Sequence, residues 1–203
     1  MISPLQLILS RSRRALPIFF CILLAAARCL AIVPDFGVDL HGRPVAQLAG
    51  PGVRVVVLFF AASDCPISNR YVPEITRLTH EFGPQGARFW WVYPNPEDTV
   101  KVVTDHNRDF SITGETVLDP RQSLVAMAHA TTTPEVAIFL VNNGELHEAY
   151  HGRIDDRYIS LGQERPQPQR HDLESAIAAA LAGKPVPTPG GPAVGCSIVF
   201  LQK

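Results

Sequence analysis

The chain has 203 residues, of which 46% are hydrophobic and 18% are charged, and its formal net charge is −1. This length favours one domain with appendages, and the composition is typical of a globular protein rather than a disordered one. A net charge near zero gives no electrostatic indication of nucleic-acid binding. The sequence has no zinc-type cysteine cluster and no glycine-rich phosphate loop, so we predict neither a cofactor nor a nucleic-acid partner.

The first 31 residues differ from the rest of the chain. Arginines at positions 11, 13 and 14 precede an apolar run over residues 15–27, and small residues lie near Ala31. This is the pattern of a secretory signal peptide, and the 13-residue run is shorter than the about 20 residues that a membrane span needs. We therefore predict a signal peptide over residues 1–31 and an exported protein, periplasmic or secreted. The alternative is a membrane anchor that is not cleaved.

The predicted elements follow a short opening hairpin within residues 32–45. Residues 53–60 are β-branched and almost wholly apolar, as in a strand that is buried on both faces of a parallel sheet. Residues 66–82 place apolar side chains on one helical face, and Pro73 inside this stretch predicts a kink. Further strands are predicted over residues 87–93, 115–119, 136–141 and 146–154, and further helices over residues 99–110, 121–130 and 172–182.

Alternating strands and helices predict an α/β fold with a central sheet covered by helices on both faces. The turn signal at residues 142–144 predicts a C-terminal β-hairpin, which makes the sheet mixed, and the last helix follows it. We place the domain at residues 32–183 and a tail rich in proline and glycine at residues 184–203. We expect this tail to be weakly ordered before Gly195.

Cys65 is the candidate reactive group, because it follows the buried strand 53–60 at the start of the helix. Ligands of open parallel sheets gather at this end of the strands. A helix N-terminus stabilises a thiolate, which is the reactive form of cysteine, and Pro66 suits the first helical turn. The alternative is that Cys65 is an inert, buried small hydrophobe.

Several motifs in the right order carry a family resemblance. They are residues 32–36 with Gly42, the pair Phe59-Phe60, Cys65-Pro66-Ile67-Ser68, Pro73-Glu74-Ile75, Thr133-Pro134 and the turn at residues 142–144. With these motifs, residues 33–183 resemble the thioredoxin-like superfamily, and specifically its peroxiredoxin and redoxin branch (alkyl hydroperoxide reductase and thiol-specific antioxidant proteins). The resemblance implies a thioredoxin-like fold, a cis Thr133–Pro134 bond facing Cys65, and antioxidant activity in cell redox homeostasis.

The chain departs from the family pattern at two positions. Ser68 stands where the dithiol motif has its second cysteine, so Cys65 cannot form a disulfide with a partner three residues away. Ala62 stands where peroxiredoxins carry a threonine, which puts strong peroxidase activity in doubt. Cys196 resembles the resolving cysteine that some peroxiredoxins carry in a C-terminal arm. We expect it to pair with Cys65 in the same chain or in a homodimer. The alternative is that it pairs with nothing, or that it forms a disulfide that only fastens the tail.

The resemblance also implies supporting roles. Ser68, Asn69 and Thr133 would position the substrate or the thiolate, and Pro134 would shape the contact surface. Arg153, in a charged stretch after a predicted strand, could raise the positive potential near the thiolate. The alternative, which charge runs usually favour, is a solvated loop in which Arg153 pairs with nearby aspartates.

The predicted function is that of an exported thiol peroxidase or thiol–disulfide oxidoreductase. Cys65 would attack a peroxide or a disulfide substrate, and Cys196 or an external thiol reductant would complete the cycle. One alternative is a copper-binding or copper-delivery protein similar to the Sco-type chaperones, because a thiolate with imidazole suits copper. Another is a redox-inactive binding module on the same scaffold.

Overall fold

The computed structural model of the chain describes residues 35–201, and the predicted signal peptide lies outside them. Within this range no helix is both long enough and apolar enough to cross a membrane. The strands are β1 (Val55–Phe60), β2 (Ala87–Tyr93), β3 (Glu115–Leu118), β4 (Thr132–Thr133), β5 (Glu135–Asn142), β6 (Glu145–Gly152), β7 (Tyr158–Ser160), β8 (Gln163–Glu164) and β9 (Cys196–Ser197). The helices are α1 (Pro66–Arg70), α2 (Val72–Phe82), α3 (Val100–Asp109), α4 (Ser123–Ala128) and α5 (Asp172–Leu181).

The central sheet has five strands in the order β3-β2-β1-β5-β6. Strands β1, β2 and β3 run parallel, whereas β5 is antiparallel to β1 and β6 is antiparallel to β5. Asn143 and Gly144 form the turn between β5 and β6, both with positive φ. The predicted mixed sheet with an antiparallel closing hairpin is therefore confirmed.

Strand β1 lies at the centre of the sheet, and all six of its side chains are buried. Alternate residues point to opposite faces. Val55, Val57 and Phe59 pack with apolar residues of α2 and α5, and the intervening residues of β1 pack with residues of α4. Each such side chain contributes roughly 1.5–3 kcal/mol when it is fully buried. Helices thus cover both faces, as the run of apolar residues predicted.

The helix predicted over residues 66–82 is divided in two. Helix α1 ends at Arg70, Tyr71 closes it with an N–H bond to the Ser68 carbonyl at 3.0 Å, and α2 starts at Val72. Pro73 therefore lies in the first turn of α2, where its missing N–H leaves no intrahelical bond unmade. The kink predicted from Pro73 is confirmed, and it takes the form of a break at Tyr71.

Two small sheets lie outside the central one. Strands β7 and β8 form a short antiparallel hairpin before α5 that the sequence analysis did not predict. Strand β9, in the C-terminal tail, pairs antiparallel with β4: Thr132 lies opposite Ser197 and Thr133 opposite Cys196. The second pairing brings Cys196 to the carboxyl end of the central sheet, beside the start of α1.

Candidate functional site

Cys65 occupies the junction between β1 and α1. It is the N-cap of α1 with extended backbone, and Pro66 follows at the first helical position. The Cys65 N–H donates to the Ala62 carbonyl at 3.2 Å, and the Cys65 carbonyl accepts from the Asn69 N–H at 3.1 Å. The Cys65 residue is 0% exposed. A reagent therefore reaches its sulfur only if a neighbouring segment moves.

That neighbouring segment is the tail. The Sγ atoms of Cys65 and Cys196 are 2.7 Å apart, and both cysteines are free thiols. The Thr133 carbonyl oxygen lies 3.2 Å from Cys65 Sγ and accepts its proton when Cys65 is a thiol. The Thr133 hydroxyl donates to the Cys196 carbonyl at 3.3 Å. The Thr133–Pro134 bond is cis, which confirms the isomer that the family resemblance implied.

The pKa values of the two thiols are shifted in opposite directions. Burial raises the pKa of the Cys65 thiol, but the neighbouring Cys196 thiol and the backbone and hydroxyl of Ser68 favour the thiolate, outweigh burial and hold the pKa below its ordinary value. Burial and the neighbouring Cys65 sulfur raise the pKa of Cys196 to about 12. Cys65 is therefore the more acidic of the two thiols, and Cys196 donates a hydrogen bond to its sulfur.

Ser68 lies one turn after Cys65 and is almost fully buried, with 2% of its surface exposed. Its hydroxyl oxygen has no hydrogen-bond partner among residues 35–201. The hydroxyl proton is therefore free to turn toward the Cys65 sulfur, which is consistent with its lowering of the Cys65 pKa. Ser68 thus lies where the dithiol motif has its second cysteine, and it favours the thiolate form of Cys65.

Asn69 connects α1 to a buried polar network that sequence reasoning missed. Its Nδ2 donates to the Ser63 carbonyl at 3.3 Å, and its Oδ1 lies 2.7 Å from His106 Nε2. Tyr93 OH lies 3.0 Å from both His106 Nδ1 and Asn107 Oδ1. Burial lowers the pKa of His106, which favours the neutral ring. The only signal in the sequence is that His106 follows Tyr93, the last residue of a buried strand, by 13 positions.

Asp98 is a second buried group near the site that the sequence analysis did not single out. One oxygen, Oδ1, accepts from the Ser63 hydroxyl and, at 3.2 Å, from the Ser63 N–H. The other oxygen, Oδ2, is buried without a partner among residues 35–201. Burial raises the pKa of Asp98, although the Ser63 bonds oppose it. Asp98 thereby fixes the loop that leads from β1 to Cys65.

Arg153 lies apart from these groups. Its Nε donates to Asp172 Oδ2 at 2.6 Å, and the guanidinium packs against Gly190 and Gly191 of the tail. None of its hydrogen bonds reaches a residue around Cys65. Arg153 therefore does not play the suggested part of raising the positive potential near the thiolate. It forms an ion pair with Asp172 instead, because α5 places that carboxylate beside it.

The aspartates after Arg153 are also not the solvated pairs that a charge run usually forms. Asp155 is buried and accepts from the Tyr71 hydroxyl and from the Arg157 N–H. Asp156 is buried and accepts from the N–H groups of Gln169 and Arg170. The two carboxylates therefore hold the loop after β6 in place, because they accept hydrogen bonds from backbone N–H groups that would otherwise be unpaired.

Among residues 35–201, no histidine completes a three-ligand set with the cysteine pair. Within residues 35–201, the one grouping of three potential metal ligands is Glu74, His171 and Glu174. The Arg77 guanidinium lies between the two glutamates, donating to each at 2.7 Å. A cation already occupies that position, so the grouping is an ion-pair cluster that joins α2 to α5.

Comparison with known proteins supports the fold and identifies the family. One solved structure with a similar fold is an uncharacterized conserved protein from Geobacillus kaustophilus, with 24% sequence identity and a TM-score of 0.69 over 84% of this chain and 91% of that chain. Another is a hypothetical protein from Sinorhizobium meliloti 1021, with 23% identity and a TM-score of 0.67 over 82% of this chain and 91% of that chain. The comparison with curated proteins found no match. Residues 31–149 match the AhpC/TSA family. The chain therefore belongs to the AhpC/TSA family and has a thioredoxin-like fold.

Proposed function

We propose that this protein is a two-cysteine thiol oxidoreductase in which Cys65 attacks the substrate and Cys196 resolves the intermediate within the same chain. The observation that carries the proposal is the 2.7 Å separation of the two sulfurs, with the pKa of Cys65 lowered and that of Cys196 raised to about 12. The thiolate is the nucleophile in thiol chemistry, so this difference in pKa supports the attacking role that we propose for Cys65.

With a disulfide substrate the cycle is thiol exchange. The Cys65 thiolate attacks one sulfur of the substrate, forms a mixed disulfide and releases the other sulfur as a thiolate, which takes up a proton. Cys196 then loses its proton and attacks Cys65 of the mixed disulfide. A Cys65–Cys196 disulfide forms and the second substrate thiol leaves. The protein has lost two electrons, and an external dithiol returns them by the same exchange chemistry.

With a peroxide the first step differs. The Cys65 thiolate attacks one peroxide oxygen, the O–O bond breaks, and the leaving oxygen takes up a proton as water or an alcohol. Cys65 becomes a sulfenic acid, and Cys196 condenses with it to give the disulfide and water. Ala62 supplies no hydroxyl where peroxiredoxins carry a threonine, and Arg153 is paired with Asp172. These features favour disulfide exchange over fast peroxide reduction.

Mass spectrometry and kinetics test the proposal. The reduced protein is treated with one equivalent of a small disulfide or of hydrogen peroxide, and free thiols are counted with time. We expect both thiols to be lost together within one chain, and Cys65→Ser to abolish turnover of both substrates. Turnover retained by Cys65→Ser, or a Cys65 that forms only an intermolecular bond, would contradict the proposal.

We also propose that the protein acts after export, in a compartment that permits disulfides. The support is the sequence pattern over residues 1–31, and removal of that segment leaves Cys65 and Cys196 as the only cysteines. N-terminal sequencing of the exported protein should begin near Ile32. Met1 on membrane-extracted mature protein would favour an uncleaved anchor instead.

A further inference from the structure

A buried carboxylate holds the loop that leads into the cis proline. Glu135, the first residue of β5, accepts through Oε2 from the Thr131 N–H at 2.8 Å and from the Thr132 N–H at 3.1 Å. Only 5% of the Glu135 surface is exposed. Hydrogen bonds to an ionised acceptor are stronger than those between neutral groups. Glu135 therefore fixes residues 131–133, which we call the docking loop, on the end of the sheet.

The docking loop contacts both cysteines. The Thr133 carbonyl oxygen lies 3.2 Å from Cys65 Sγ, and the Thr133 hydroxyl donates to the Cys196 carbonyl at 3.3 Å. The Thr131 carbonyl accepts from the Ile198 N–H at 3.0 Å, which holds the tail just beyond Cys196. A shift of the docking loop would therefore loosen the tail and change the access of reagents to the Cys65 sulfur.

The second oxygen of Glu135 faces a histidine of β6. His151 Nε2 lies 2.8 Å from Glu135 Oε1. The contact is not aligned as a hydrogen bond, because His151 Nε2 is buried without a hydrogen-bond partner among residues 35–201. Its strength therefore depends on the charge of the ring. The His151 side chain as a whole is 30% exposed, so protons reach the ring from the solvent.

The pair lies on the face of the sheet that α4 covers. Glu135 lies opposite Phe60 of β1, and His151 lies opposite Ala137 of β5. Both Phe60 and Ala137 belong to the apolar cluster that includes residues of α4 and Ile198 of the tail. The ion pair is thus built into the packed end of the sheet, next to the tail.

Few other charges act on this pair. Strands β1 and β5, helix α4 and residues 197–201 carry no ionisable side chain besides Glu135. The other ionisable groups on the neighbouring segments are exposed or paired: Glu148 and His129 are exposed, the Tyr150 hydroxyl donates to the Arg153 carbonyl, and Arg153 pairs with Asp172. The charge of His151 therefore acts mainly on Glu135.

We propose that Glu135 and His151 are positioning residues that keep the Cys65–Cys196 pair closed, and that a proton on His151 tightens this closure. The inference rests on the proposed function, because access to Cys65 limits the redox cycle only if Cys65 attacks the substrate. Histidine ordinarily changes its charge between about pH 5 and 8. With a charged ring, the ion pair holds Glu135, and through it the docking loop and the tail. As the pH rises this hold is lost, and the two N–H bonds alone remain.

The pH dependence of Cys65 alkylation tests this inference. The reduced full-length chain and His151→Gln are treated with iodoacetamide at about pH 5.5 and about pH 8.5, and peptide mapping follows Cys65. The ratio of the two rates at one pH cancels the titration of Cys65 itself, which both proteins share. We expect His151→Gln to react about threefold faster at the lower pH, since a partly exposed ion pair is lost. At the higher pH the rates should be equal.

Two matched variants make the result specific. Glu135→Gln keeps a side-chain oxygen for the docking-loop N–H groups but loses the charge. It should show the same acceleration in acid, and adding His151→Gln to it should have no further effect. His147→Gln removes an exposed histidine of the same strand, which lies 3.8 Å from Glu145. It should react at the wild-type rate at both pH values.

Nuclear magnetic resonance gives a second readout that does not depend on the folding of any variant. In the reduced wild-type protein, the amide shifts of Thr131 and Thr132 should change with pH at the same midpoint as the His151 ring protons. The amides report on the docking loop directly, because Glu135 accepts from both of them. Amide shifts that do not follow the His151 titration would overturn the inference.

Two results of the alkylation experiment would also overturn it. One is a ratio of His151→Gln to wild-type rates that is the same at both pH values, which is the result of a structural role alone. The other is an equal effect of His147→Gln. Either result, with turnover that still needs Cys65, leaves the proposed function standing. Turnover that does not need Cys65 would reject the proposed function, while the amide titration would still decide whether His151 acts on the docking loop.

Discussion

Gly195 lies against the backbone carbonyl of Thr133, and this close approach holds Cys196 over the Cys65 sulfur. Because Cys65 is 0% exposed in this arrangement, its reaction with an alkylating agent requires the tail to undock. We expect Gly195→Ala to speed alkylation of reduced Cys65 about tenfold, which corresponds to about 1.4 kcal/mol of lost docking. Peptide mapping of carboxymethylated Cys65 with time measures the rate.

The control for this prediction is Gly83→Ala, which adds the same methyl group where no atom lies within 4 Å. Its Cys65 should be alkylated at the wild-type rate. Identical rates for wild type and Gly195→Ala would show that the tail does not limit access.

Removal of the resolving thiol should trap the first oxidation product. In Cys196→Ser protein from which residues 1–31 have been removed, Cys65 is the only cysteine, and Ser68 cannot form a disulfide. We expect hydrogen peroxide to convert Cys65 to a sulfenic acid and then to the sulfinic acid, whereas wild type should stop at the disulfide. Intact-mass measurement distinguishes these products. A Cys196→Ser protein that cycles with a dithiol reductant as fast as wild type would leave Cys196 without a resolving role.

The stability of the reduced protein should depend on pH through its two thiols. The lowered pKa of Cys65 stabilises the folded state above the unfolded thiol pKa, about 8.5, and this contribution is lost as the pH falls through the folded pKa. The raised pKa of Cys196 stabilises the folded state below about 8.5, and this contribution is lost as the pH rises toward about 12. The free energy of unfolding should therefore peak near pH 8.5.

Urea titrations under reducing conditions at several pH values between 6 and 10 measure this curve. A double Cys65→Ser, Cys196→Ser variant should lose the thiol-dependent rise and fall while it keeps any slope due to other groups. Superimposable curves for the two proteins would mean that the thiols do not interact in solution.

The buried network behind α1 should contribute measurably to stability. Asn69→Ala removes the partner of His106 Nε2, and an unsatisfied buried polar atom costs about 1–3 kcal/mol. Chemical denaturation measures the loss. Arg70→Ala on the same helix is the control, because Arg70 is exposed and its ion pair with Glu164 spans 3.9 Å. It should change stability by less than about 0.5 kcal/mol. Equal losses in both variants would argue against the network.

Copper binding separates the redox proposal from the metal-delivery alternative. The two sulfurs have no histidine in a three-ligand set with them among residues 35–201, so we expect no stoichiometric copper to remain on the reduced protein after gel filtration. Metal analysis of the protein peak gives the ratio. Retention of one copper ion per chain that is lost in Cys65→Ser would support the copper-binding alternative.

The local patterns were sufficient to predict the framework of the site. The apolar run of β1 and the Cys65-Pro66 step after it predicted the position of the candidate sulfur, whereas the cis Thr133–Pro134 bond was implied by the family resemblance. The position of Cys65 is predictable because burial of a strand on two faces is written in adjacent residues. The family comparison and the sheet order then agree with them.

The contacts that complete the site were not predictable in this way. Strand β9 has two residues, and its docking depends on Asn95 and Gln122, whose amides meet the tail through bonds with no sequence period. Arg153 was misjudged for a related reason, because its partner Asp172 lies 19 residues away on α5. Long-range pairings of polar side chains leave no local pattern.

The sulfurs that meet in this site are separated by 131 positions in the chain. A bond between them would close most of the domain into a covalent ring, and a ring of that size removes about 5 kcal/mol of chain entropy from the unfolded state in the entropic account of cross-links. By linkage, the folded protein would hold its oxidised state more firmly than the unfolded chain does. Resistance to unfolding would then report the redox balance of the surroundings.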